Sequence, residues 1–176
     1  MHWETFNKRE GQKEFRTKIN DVLGMYVGRY ELNEKGEIFS KPEVGFEKIF
    51  EADIPSRNTD ISDRVNSAIS QYRRHGATLD DRRQAVRNLA DVLEYLRPKA
   101  KAIFTKQDEK DLFNIANNFG IRHHNDKQKT NYDRALWLSW MFYYYLATIH
   151  VILRKIENVE LNKSFQQTQK GRAADA

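Results

Sequence analysis

The longest apolar run in the chain is LWLSWMFYYYLATIHVIL, residues 136–153. Its apolar side chains fall on nearly every side of a helical circuit, which predicts a helix buried among other helices or lying at a subunit interface. A run of this length spans about 27 Å, close to a bilayer core. Ser139, Tyr143, Tyr144, Tyr145, Thr148 and His150 lie inside it, and polar groups at mid-membrane are costly. With no second such run in a polar chain, the segment reads as a bundle helix rather than a span. Asn131 is the expected N-cap, and Arg154 and Lys155 suit the C-terminal end, so the helix is placed at 132 to about 158.

The rest of the pattern is amphipathic. Phe15, Ile19, Val22, Leu23 and Tyr26 recur at three- and four-residue spacing and predict a helix over about 9–27. Alternation in Tyr30–Leu32 and Glu37–Phe39 flanks Asn33-Glu34-Lys35-Gly36, a β-hairpin pattern in which Gly36 supplies the positive φ. Val44, Phe46, Ile49 and Phe50 indicate a short helix or an apolar loop, and Asp53 to Asn58, with Pro55, a linker. Asp60 with Asp63 forms a cap-like start for a helix whose face is Ile61, Val65, Ala68, Ile69 and Tyr72 and whose end lies near His75-Gly76. Thr78 to Asp81 opens the next, striped by Ala85, Val86, Leu89, Val92, Leu93 and Leu96 and expected to stop at Pro98. Thr105 and Asp108 open another, with Leu112, Phe113, Ile115, Ala116 and Phe119 as its face and Gly120 as its C-cap. Residues 161–176 lack an apolar pattern and read as a flexible tail. The expected architecture is mainly α: a helical bundle over 59–160, preceded by a small helix and β-hairpin portion over 1–58.

Composition narrows the chemistry. With no Cys there is no disulfide frame, thiolate metal site or cysteine nucleophile. Lys plus Arg at 30 against Asp plus Glu at 25 gives a net charge of +5, which permits nucleic acid as a partner without requiring it. The first fifteen residues lack the apolar core of a signal peptide, so a cytoplasmic location is expected, with no membrane partner. No glycine-rich phosphate loop, serine-nucleophile motif or framed carboxylate pair appears.

The candidate chemistry lies just ahead of the apolar run. Arg122, His123 and His124 sit together, followed by Asn125 and Asp126. Imidazole exchanges protons near neutral pH, and guanidinium holds a phosphate in a fixed fork. The three are therefore a minimal kit for metal-free RNA cleavage, His123 or His124 moving the proton and Arg122 steadying the phosphate. Asn117, Asn118, Asn125, Lys127 and Lys129 are the RNA-contacting candidates nearby, and Arg73 and Arg74 are more distant ones. The competing reading makes the histidines helix caps and pairs Arg122 with an acid. A metal site is not expected, because only Asp126 is a local third ligand. No cofactor is expected.

Residues 80–156 resemble the HEPN superfamily, and within it the abortive-infection C-terminal type. The resemblance rests on the helix order and on Asn117-Asn118-Phe119-Gly120-Ile121-Arg122-His123-His124, where Asn117, Gly120 and His123 match the family's Arg-Asn…Gly…His-Gly stretch. It implies an α-helical fold, homodimerisation with both motifs in one cleft, and a metal-independent endoribonuclease or RNA-binding role in bacterial defence. Other members of the family are non-catalytic, which implies a dimerisation or protein-interaction module instead. The family's catalytic Arg is separated from the His by four to six intervening residues. Here Ala116, Asn117, Asn118 and Phe119 hold those places, so the Arg is missing or is replaced by Arg122.

Overall fold

A computed structural model describes residues 7–56, 58–101, 103–118 and 133–174. Among these lie six helices and one two-stranded antiparallel sheet. The fold is mainly α, with an N-terminal helix and β-hairpin, as the pattern indicates.

Helix α1, Lys8–Leu23, is capped by Asn7, whose side chain accepts the Glu10 N–H at 3.2 Å. It stops four residues before the expected end. Gly24 is its C-cap, and the chain then turns through Met25 to Gly28. Strands β1, Tyr30–Leu32, and β2, Ile38–Ser40, pair with Glu31 opposite Phe39. Their turn is fixed locally: the Asn33 side chain accepts from the Lys35 and Glu37 amides at 2.9 and 2.8 Å, and Gly36 takes φ +82°. The apolar stretch at 44–50 resolves as a short helix, α2, Glu47–Glu51.

Helix α3, Thr59–Arg73, buries Ile61, Val65, Ala68 and Tyr72. Its cap is Asn58, accepting from the Asp60 amide at 3.0 Å, rather than the expected Asp60–Asp63 pair, and it ends two residues before His75. Helix α4, Leu79–Ala100, begins on a capping box between Thr78 and Asp81. It does not stop at Pro98. Proline already has helical φ, and its ring disturbs only the preceding turn, so the helix runs two residues further to bury Ala100. Helix α5, Lys106–Asn118, opens on the Thr105–Asp108 pair, the Thr105 hydroxyl donating to the carboxylate at 2.7 Å. Arg97 ties it to α4 through Glu109 at 2.6 Å and lies 4.3 Å over the Phe113 ring.

Helix α6, Arg134–Ala174, differs from expectation at both ends. Asp133 caps it, accepting the Leu136 amide at 3.1 Å, while Asn131 lies outside the described residues. At the other end the helix continues through the expected tail. Residues 161–174 lack an apolar stripe, but they contain no Pro and are rich in Gln, Lys, Arg and Ala, which are good helix formers.

The core lies between α3, α4 and α6. Val65, Val86, Leu89, Leu93, Leu96, Met141, Phe142, Tyr145, Leu146, Ile149 and Ile152 are its largest fully buried side chains. Helices α4 and α6 run in the same direction. At one end Arg82 lies 5.5 Å over the Tyr72 ring while the Tyr72 hydroxyl meets Ser139 Oγ at 2.7 Å; at the other end Leu96 shares a groove with Leu153 and Ile156. The N-terminal portion joins this bundle through aromatic contacts. Phe46 stacks on Tyr143 with 4.3 Å between centroids, and Phe50 faces Phe142 at 6.0 Å. The expected boundary at 58 thus falls in the linker between α2 and α3, while side-chain packing crosses it.

Candidate functional site

Two features stand out, a basic end of the bundle and an apolar outer face on α6. The basic end lies where α3 finishes and α4 starts, and it carries Arg73, Arg74, His75, Arg82 and Arg83. Arg73 is not presented to solvent. Its guanidinium donates to Glu31 and, at 3.2 Å, to the Ser40 carbonyl, and it lies 4.9 Å over the Phe50 ring and 5.6 Å over Phe39. This side chain clamps the hairpin and α2 onto α3. Arg74 is exposed, and its backbone bridges Phe39. The His75 ring meets Tyr30 edge-on at 4.9 Å, and its amide donates to Ile38 at 2.8 Å. Of the two expected phosphate contacts on this end, only Arg74 has its side chain in water.

Beneath these cations lies a polar seam. Tyr72 stacks on Phe142 at 3.9 Å while bonding Ser139, and Arg82 covers its ring. Burial raises the Tyr72 pKa. Burial also pushes Tyr143 up to about 12, helped by the neighbouring Tyr72 and Glu43. Both phenols stay protonated at neutral pH and serve as hydrogen-bonding groups rather than bases. His150 is buried deeper along α6, and its Nε2 has no hydrogen-bond partner among the described residues. Burial, then the Arg154 charge, lowers its pKa, so it is neutral at pH 7.

Asn117 and Asn118 close α5, but their side chains lie outside the described residues, as do Arg122, His123, His124, Asn125, Lys127 and Lys129. No group of three metal-ligating side chains occurs among the described residues.

The outer face of α6 is the second feature. At ~100° per residue, Leu136, Trp140, Tyr144, Ala147 and Val151 fall within about 80° of arc. Leu138, Tyr145, Ile149 and Ile152 lie on the opposite side and fill the core. The outer set is partly open to solvent: Leu136 is 65 % exposed, Trp140 42 %, Tyr144 37 % and Val151 54 %, with Asp111 and Asp108 of α5 near enough to act on the Tyr144 phenol. Trp140 and Tyr144 stack within 8° of parallel at 5.4 Å, an ordered aromatic step in the middle of the stripe. By length and composition α6 is apolar enough to cross a membrane, and half of its apolar window is buried in the fold. Sequence periodicity locates the run, but it does not show which side meets the core, because all sides are apolar.

Comparison with protein-family models, curated proteins and solved structures finds no match to this chain.

Proposed function

We propose that the protein is a helical dimerisation module in which the outer face of α6 packs against the same face of a second copy. One observation carries this reading: α6 is apolar on two opposite sides, and the fold buries only one. A contiguous exposed stripe with an aromatic centre is costly in water and is typical of an association surface. A helix-on-helix contact suits it, since the apolar positions are spaced four, four, three and four residues apart and form one continuous ridge along the helix. Trp140→Asp and Val151→Asp place a charge on that face without touching the core. Each is expected to weaken self-association about thirtyfold or more, read from concentration-dependent sedimentation. Unchanged association in both variants would contradict the reading.

A second reading adds RNA binding or metal-independent RNA cleavage of a defence type, in keeping with the HEPN-like motif. It is supported by the residue types of Arg122-His123-His124 and by the cationic end at which α6 begins. The test is RNA cleavage in EDTA beside Arg122→Ala, His123→Ala and His124→Ala, each melted to check folding. Loss of cleavage in a folded variant is the expected result. An inactive wild type leaves the dimerisation module as the whole function.

A further inference from the structure

We infer that the open edge of α1 and the turn after it form a docking surface for an anionic membrane, a peripheral contact distinct from a membrane span. Helix α1 contributes no buried side chain. It is tied to β1 mainly by polar contacts: Asn20 exchanges two hydrogen bonds with the Leu32 backbone, at 3.1 and 2.6 Å, and Arg16 pairs with Glu34 at 3.0 Å. Phe15 and Val22, seven residues apart on one edge, remain largely in water. The following turn continues that edge, with Met25 82 % exposed, Tyr26 60 % and Val27 at the value of a fully free side chain.

This exposure belongs to an ordered turn. The Met25 amide donates to Val22 at 3.1 Å, Arg29 to Tyr26 at 2.8 Å, and Lys41 to Arg29 at 2.6 Å. The Tyr30 ring folds back under residue 28, where a Cβ would come within 2.3 Å of its hydroxyl, so any larger residue there would displace the ring. The backbone thus holds three consecutive apolar side chains outward on a convex tip. A convex apolar tip fits a soft surface into which it can sink better than it fits the flat face of a second copy.

Charge selects the kind of surface. At ~100° per residue, Lys8 lies about 20° and Lys18 about 60° from Phe15, while Glu10 and Asp21 lie about 140° and 120° away, alongside Arg9 and Lys13. Arg29 and Lys41 follow the tip, and Lys41 reaches to within 3.5 Å of a Cβ built on Gly24. The nearby acids are engaged: Glu14 holds Lys18 at 2.6 Å, and Glu47 accepts the Gly45 amide at 2.8 Å, its pKa lowered first by backbone hydrogen bonds from its own amide and from Gly45 and least by Arg29. Lys8, Arg29 and Lys41 beside an apolar edge, with Glu10 and Asp21 behind and Glu14 neutralised by Lys18, suit an interfacial contact with anionic lipid. Met25 and Val27 would enter the acyl boundary, and Tyr26 would sit at headgroup level.

The test is co-sedimentation of the full chain with vesicles of phosphatidylcholine and phosphatidylserine in equal parts, and with phosphatidylcholine alone. The wild type is expected to pellet with the first, less so as salt rises, and not with the second. Met25→Asp and Val27→Asp alter only exposed side chains, and each is expected to reduce binding about tenfold while melting like the wild type. Trp140→Asp is expected to bind as the wild type does. Failure of the wild type to pellet, equal pelleting by the turn variants, or loss of binding in Trp140→Asp overturns the inference. So does a turn variant that loses self-association instead, which would make this edge an interface between copies.

Discussion

His150 shows most clearly how one side chain sets a property of the whole chain. It is buried, its Nε2 has no partner among the described residues, and its pKa is held below the ordinary 6.5 by burial and by Arg154. The sign of the consequence follows. As pH falls below about 6.5 the unfolded chain takes up the proton first, so stability is full above that value and declines until the lower folded pKa is reached. Melting temperature is therefore expected to drop on acidification, and His150→Leu to flatten that slope. The same variant is expected to gain about 1 kcal/mol at neutral pH, because it removes a buried polar atom lacking a partner. A His150→Leu variant that is less stable than the wild type at pH 7 would show that the imidazole makes a bond essential to the core. The sequence marks His150 only as a polar residue in an apolar run. It gives no sign of the Tyr72–Ser139 bond, whose partners are 67 residues apart.

At the scale of elements, the hairpin and α2 depend on Arg73. Its guanidinium serves Glu31, Ser40 and two aromatic rings at once, which a lysine ammonium cannot do. Arg73→Ala is expected to destabilise the fold by about 2 kcal/mol in urea melts, with Arg73→Lys recovering little. If Arg73→Lys restores stability in full, charge alone holds the hairpin. Local chemistry made several elements legible: the Asn33–Gly36 turn, the Thr78–Asp81 box and the Thr105–Asp108 start all carry their signals within five residues. The long-range partner of Arg73 does not, since Glu31 is 42 residues away and an Arg-Arg pair at a helix end reads as solvated surface. The extent of α6 was hidden for another reason. Its last turns are helical by propensity, whereas apolar periodicity reports only helices that bury a face.

For the whole molecule, the pattern identifies a helix apolar all round, and the fold shows that α2, α3 and α4 leave one of its sides partly open. The remaining face is what a monomer leaves unpaid, and under the proposed dimerisation a second copy would remove it from water. The RNA reading depends on residues between α5 and α6 and on the exposed Arg74, and it stands or falls separately. The most direct test of the central claim is the solution mass of the full chain by light scattering across a range of concentrations. The wild type is expected to approach twice its 20.9 kDa chain mass, and Trp140→Asp to remain at the chain mass with an unchanged melt. A wild type that stays at 20.9 kDa at every concentration would contradict it.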